Sequence, residues 1–122
     1  MKSNQRQSTG RQGENIAGEF LKNKGYTILE RNWRTPYGEI DIVARKRESV
    51  VFVEVKTRAS RSLGPPEISI TARKARHMRD AAQYYIQQHP DMEADWQIDL
   101  ITIQLKSRGD PMSIDHFENV LS

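Results

Sequence analysis

The sequence predicts an α/β domain whose elements run helix, three strands, helix, strand around a mixed sheet. Three observations lead there. Apolar residues recur at helical spacing over two stretches, 10–24 and 71–89. Between and after them lie runs rich in Val, Ile and Phe, the composition of strands. The second helix also stands between two such runs, and a strand-helix-strand order gives a parallel crossover, whereas strands joined by a tight turn pair antiparallel.

The chain has 122 residues, enough for one core and no second. The expected division is a flexible polar tail at 1–9 and a single domain at 10–122. No cysteine is present, which excludes disulfides and thiolate zinc sites, and His77, His89 and His116 fall in three separate segments. Any metal site must therefore use oxygen ligands. The first thirteen residues lack an apolar signal core, and no later run could span a bilayer, so the expected compartment is the cytoplasm. Net charge is +3, but 17 of the 19 basic residues lie before Asp91. That asymmetry suggests a surface for a polyanion.

In the first helix, Ile16, Ala17, Phe20 and Leu21 form the buried stripe, and Gly25 ends it. Glu14 lies off the centre of the stripe near the helix start, where spacing alone favours an exposed residue facing the positive end of the helix dipole. A strand over 26–34 follows, carrying Trp33 beside Arg31 and Arg34; the indole is suited to rim packing or to stacking on a base. Thr35-Pro36-Tyr37-Gly38 turns into a hairpin whose strands are expected over 39–45 and 50–57. A loop of about a dozen residues with Arg58, Arg61 and Gly64-Pro65-Pro66 comes next, readable as a basic flap or as a plain connection. The second helix buries Ala75, Met78, Ala82, Tyr85 and Ile86, and places Arg73, Lys74 and Arg76 in its first half, where the helix dipole opposes them. A strand over 96–105 with Ile98, Leu100, Ile101 and Ile103 buried leads to a short last strand or helix around 114–121.

The hairpin carries the chemistry. A turn centred between Arg47 and Glu48 pairs Arg45 with Val50, Val43 with Phe52, Asp41 with Glu54 and Glu39 with Lys56. The two-residue period puts Glu54 and Lys56 on one face and sends Ile40, Ile42, Ala44, Val51, Val53 and Val55 to the other, so one face reads as core and the other as a charged cluster. Two facing carboxylates repel by roughly 4 kcal/mol at about 4 Å and an effective dielectric near 20. They need a positive neighbour. Lys56 is one, and a hard cation, Mg²⁺ or Mn²⁺, bound through one or two carboxylates, is another. The competing reading pairs Lys56 with Glu39 as a structural ion pair and leaves Glu54 at a solvated rim.

Gly13-Glu14, Asn32-Trp33-Arg34, Gly38-Glu39-Ile40-Asp41, Phe52-Val53-Glu54-Val55-Lys56-Thr57-Arg58, Gly64-Pro65-Pro66-Glu67 and Lys74 together resemble the YraN-like bacterial family. Its members are similar to archaeal Holliday-junction resolvases of the restriction-endonuclease-like PD-(D/E)XK superfamily. The resemblance implies a three-layer core with a mixed central sheet. It implies that Asp41 and Glu54 are metal ligands, Lys56 the catalytic lysine and Glu14 an additional acid. Arg58 and Lys74 would be phosphate contacts, within a nucleic-acid surface that also includes Arg34, Arg61, Arg73 and Arg76. The implied activity is Mg²⁺- or Mn²⁺-dependent hydrolysis of DNA phosphodiesters, including branched DNA in repair or recombination, with homodimerisation by analogy. The alternative is a nucleic-acid-binding protein that keeps the fold without turnover.

Overall fold

A computed structural model describes residues 4–58, 70–92, 95–106 and 111–121. Helix α1 spans Asn4–Asn23, and strands β1 (Thr27–Thr35), β2 (Gly38–Lys46) and β3 (Ser49–Arg58) follow it. Helix α2 (Ala72–Gln88) then precedes β4 (Trp96–Leu105) and β5 (Pro111–Phe117). Two expectations change. The helix starts at Asn4, so most of the stretch expected as tail is helical. The ambiguous last segment is a strand, which makes the sheet five-stranded.

The strands are ordered β1-β2-β3-β4-β5. All neighbours are antiparallel except β3 and β4, whose parallel pairing runs from Val50↔Trp96 to Arg58↔Gln104 with α2 as the crossover. The hairpin register is the expected one as far as it goes: Lys46↔Ser49, Arg45↔Val50, Val43↔Phe52 and Ile42↔Val53. Arg47 takes φ 58 in the turn.

Both faces of the sheet are core, which corrects the expectation of one apolar and one charged face. On one side Ile42, Ala44, Val51, Val53, Ile101 and Ile103 pack against Ala17 and Leu21 of α1. On the other, Val43, Val50, Phe52 and Ile98 pack against Ala81, Ala82 and Tyr85 of α2. The physical reason is that Phe52 and Val43 face each other across the ladder on the side assigned to charge, and only the two ends of β3 differ: hydrocarbon at Val50 and Phe52, charge at Glu54 and Lys56. Ile40 also joins the α2 side, with Trp33, instead of following Ile42. The result is a helix-sheet-helix sandwich.

Local chemistry sets the helix ends. After Leu21, the Tyr26 amide donates to the Leu21 carbonyl and the Gly25 amide to that of Lys22, each at 3.0 Å, with Gly25 at φ 94. This is the Schellman pattern, closed by contact between two buried side chains, Leu21 and Tyr26. Thr71 caps α2 by accepting the Lys74 amide at 3.1 Å. No helix among the described residues is long and apolar enough to cross a membrane.

One buried charge was not foreseen. Asp99 is 0% exposed on β4, inside a run that otherwise reads as hydrocarbon. It accepts hydrogen bonds from Gln97 Nε2 (2.8 Å) and the Asn119 amide (2.9 Å), and lies 2.7 Å from His116 Nε2. Lys24 Nζ stands 2.8 Å from His116 Nδ1. An ammonium can only donate, so Nδ1 accepts and Nε2 carries the hydrogen given to Asp99. The chain ties the end of α1 to β4 and β5. Removing the imidazole takes one donor from a buried carboxylate. His116→Ala is therefore expected to cost about 2–3 kcal/mol in urea unfolding. A loss below about 1 kcal/mol, the scale of an exposed pair, would show that solvent replaces the imidazole.

Candidate active site

The ladder between β2 and β3 stops at Ile42↔Val53. One residue further, the Val55 amide donates to the Asp41 side chain, at 2.8 Å from Oδ2. A carboxylate thus takes a hydrogen bond of the kind backbone carbonyls accept within a ladder. Both strands keep their outer neighbours beyond this point. β2 continues on β1 through Trp33↔Ile40, Arg34↔Glu39 and Thr35↔Gly38, and β3 continues on β4 from Glu54↔Leu100 to Arg58↔Gln104. The sheet forks at Asp41 and Glu54 without losing its edges.

Helix α1 closes one side of the fork. Gly13 is buried, and a Cβ at this position would collide with the Thr57 side chain. Only glycine allows so close an approach of helix to strand. The approach carries Glu14 inward, so the exposed position favoured by spacing is corrected. Glu14 Oε1 and Thr57 Oγ1 are buried with no hydrogen-bond partner among the described residues. Buried polar atoms are almost always paired, so an orphaned one calls for an explanation such as strain, a catalytic role, or a water or ion as its partner.

Electrostatics single out Asp41. Its carboxyl is pushed up from 3.8 to about 7, first by burial, then by the negative charge of Glu54 and, more weakly, of Glu14, with a hydrogen bond to Glu54 adding to the rise; the Val55 amide opposes it. Carboxyl groups from α1 and β3 therefore both act on the one that β2 supplies. Perturbed acids of this kind mark functional sites.

The remaining residues lie as follows. Lys74 Nζ stands 3.1 Å from Glu54 Oε2, so the positive charge beside that carboxylate comes from α2. Lys56 is half-buried on β3, two residues beyond Glu54 and opposite Thr102 of β4. Glu39, the residue that the competing reading pairs with Lys56, lies 3.7 Å from Arg34. That contact is exposed, with 90% of the Arg34 side chain in solvent. Arg58 is half-buried at the end of β3, and Arg73 and Arg76 are exposed on the first turns of α2. Arg61 and the rest of the proposed flap lie outside the described residues. Trp33 packs at the rim, 4.9 Å from the ring of Tyr85 and 5.8 Å from that of Tyr84.

Two participants escaped the sequence reading. Thr57 stands in the sequence only as the end of the strand expected over 50–57, yet it is the residue on which α1 rests; a glycine one position before an inward acid is the available signal. Lys74 was taken as a phosphate contact, and nothing in its own helix predicts its partner on β3.

The donor set suits a hard divalent cation, which binds through one or two carboxylates and completes its shell with waters and phosphate oxygens. Asp41 and Glu54 supply the two, and the orphaned Glu14 oxygen faces the same problem of excess negative charge. No three His, Cys, Asp or Glu side chains among the described residues stand in ligating positions together. Glu54 is engaged by Lys74 instead.

The Asp41 carboxyl generates a pH dependence. Its folded pKa of about 7 exceeds the ordinary 3.8, so between those values the folded state binds the extra proton and stability falls as pH rises. Chemical denaturation of the parent is expected to show this loss between pH 5 and pH 8. Asp41→Asn keeps an acceptor for the Val55 amide without the charge, and should flatten the fall and leave the variant the more stable at pH 8. An equal slope in both proteins would show that Asp41 is not the group responsible.

Comparison with known proteins places the chain. Residues 13–103 match the uncharacterised protein family UPF0102. A UPF0102 protein of Desulfosudis oleivorans is 48% identical over 101 residues, covering 83% of this chain and 82% of that one. One from Syntrophotalea carbinolica is 43% identical over 113 residues, covering 93% and 90%. Among solved structures the chain is similar to Pyrococcus furiosus SfsA in complex with Ca²⁺, at 17% identity and a TM-score of 0.44, covering 93% of this chain and 63% of that one. The match extends from the glycine on which α1 rests to near the end of β4 and takes in the whole fork, and the chain belongs to the uncharacterised protein family UPF0102.

Proposed function

We propose that this chain is a divalent-metal-dependent nuclease that hydrolyses phosphodiester bonds of DNA. The observation that carries the reading is the under-neutralised carboxylate set at the fork: Asp41 raised to about 7 by burial, Glu54 and Glu14, with a buried Glu14 oxygen left without a partner. A protein with only structural needs would fill these positions with hydrocarbon, as it does one residue pair away.

Asp41, Glu54 and the Val55 carbonyl are the groups that would hold Mg²⁺ or Mn²⁺, with Glu14 serving a second ion or its water. When bound, the cation supplies Lewis acidity, neutralising phosphate charge and making water a better nucleophile. The chain's own residues do the rest. The Val55 amide fixes the Asp41 carboxylate, and the Gly13–Thr57 contact fixes the height of Glu14 above it. Lys56, on the Glu54 face of β3, orients the attacking water or stabilises charge building on the phosphate oxygens. Lys74, which pairs with Glu54 here, would be free to serve the substrate phosphate if that carboxylate held a cation. Arg73 and Arg76, exposed on the same helix, extend the positive surface along the strand.

One observation favours a second reading. The 3.1 Å Lys74–Glu54 pair already neutralises one of the carboxylates, which suits a module that binds nucleic acid without cutting it. Cleavage separates the two.

The expected outcome is Mn²⁺- or Mg²⁺-dependent cleavage of DNA that Asp41→Ala abolishes together with cation binding. Lys56→Ala should bind Mn²⁺ and DNA nearly as the parent does while losing on the order of 10²-fold in single-turnover rate, the scale for one transition-state charge stabiliser. Full activity in Lys56→Ala would remove its catalytic role. Saturating Mn²⁺ is also expected to raise stability at pH 8, by about 2.7 kcal/mol at 100 times its dissociation constant. No shift in melting temperature and no calorimetric binding would end the metal-centre reading.

For the positive surface, Arg73→Glu with Arg76→Glu should weaken DNA binding for all sequences alike and reduce its salt dependence, because phosphate contacts carry no base information. Unchanged binding would move the contact surface to other cations.

A further inference from the structure

The fork that separates β2 from β3 leaves a cavity of about 90 Å³ on the α2 side of the sheet. Its floor is apolar and buried, formed by Ile40, Phe52, Ala81 and Ile98. Its mouth is polar, with Glu54, Lys74 and His77. Tyr37 forms a wall and is 47% exposed, the exposed large hydrophobic side chain among the described residues. Its ring meets that of Tyr84 edge-on at 6.3 Å. A site for one water needs about 10–15 Å³. The cavity is several times larger, enough to admit one flat ring.

We infer that this cavity receives a single unpaired nucleobase of the DNA strand whose phosphate lies at the Asp41–Glu54 centre. The inference rests on the nuclease reading and names its substrate class: DNA with an unstacked nucleotide, as in a single strand, a flap or the crossover of a branched molecule. Three features select this occupant. Glu54 belongs both to the carboxylate set and to the cavity lining, so a ligand in the cavity lies within one nucleotide of the reacting phosphate. The mouth carries Lys74 and the first turn of α2, which favour an anionic backbone, while the floor offers no charge to a polar ligand. Tyr37 and Phe52 give a base aromatic surfaces to stack against in the way single-strand binders do. A base paired inside a duplex cannot enter, and extrusion costs least where pairing is already lost.

The experiment uses the full chain and two DNAs of one sequence, each with a single 2-aminopurine, one single-stranded and one fully paired. Binding is followed by fluorescence in chelator, where no cleavage occurs, and cleavage is followed separately in Mn²⁺. Tyr37→Ala removes the exposed wall, and Met78→Trp fills the cavity from α2; thermal melting verifies that both are folded. The expected result is a fluorescence change on binding the single strand only, with affinity for that strand reduced about tenfold in each variant. Both variants should bind and cut paired DNA as the parent does.

Parent-like single-strand affinity in both variants, or equal response from paired DNA, would overturn the base site. The two arms also separate this inference from the nuclease reading. A Tyr37-dependent fluorescence change with no cleavage under any condition supports the base site and defeats hydrolysis. Cleavage of paired and unpaired DNA at equal rates, unaffected by Tyr37→Ala, supports hydrolysis and defeats the base site.

Discussion

The hydrogen bond from the Val55 amide to Asp41 is the constraint on which the rest of the site depends. A strand amide in a sheet interior must be paired, and here the acceptor is a side chain at 2.8 Å instead of the neighbouring backbone. That exchange does three things together. It ends the β2–β3 ladder, anchors an acid in the sheet beside a second acid, and opens the space under α2. The fork persists because β2 and β3 each keep an outer neighbour over the divergent residues.

Two acids of the sheet, the buried Asp99 and the half-buried Asp41, stand in opposite surroundings. Asp99 is fully buried and receives donors from Gln97, His116 and the Asn119 amide. Nothing about it invites a ligand. Asp41 has one backbone donor and two acidic neighbours, and its carboxyl is raised to about 7. The same residue type is therefore fully paired in one place and crowded by other acids in the other, and it is the crowded one whose titration is displaced. The site lowers stability locally, and the apolar packing on both faces of the sheet offsets that cost. The core on the α1 face ends at Val55 and that on the α2 face at Phe52, immediately beside the charged residues of β3.

Helix α1 has a part that its own sequence understates. Its apolar stripe explains why it packs on the sheet, but the depth of packing is set by Gly13 against Thr57. At that depth an acid off the centre of the stripe points inward. Helical-wheel reasoning places residues by angle and assumes a uniform distance between axis and sheet. A buried glycine changes the distance, and Glu14 moves from surface to site.

Periodicity and turn chemistry in the sequence determined the helices, the first four strands and the hairpin register from Arg45↔Val50 to Ile42↔Val53, because those features depend on neighbours a few residues apart. They also marked Asp41, Glu54 and Lys56, since charge inside a β-branched run is visible without coordinates. Tertiary structure alone decided that both sheet faces are core, because that depends on α2 covering Val43, Val50 and Phe52. It alone joined Lys74 to Glu54 across twenty residues of chain and buried Asp99 beneath His116, and it turned Glu14 inward, where spacing favours the surface and only the family resemblance implies a place among the acids. Each of these is set by the distance between two elements remote in sequence, a quantity that no local spacing contains.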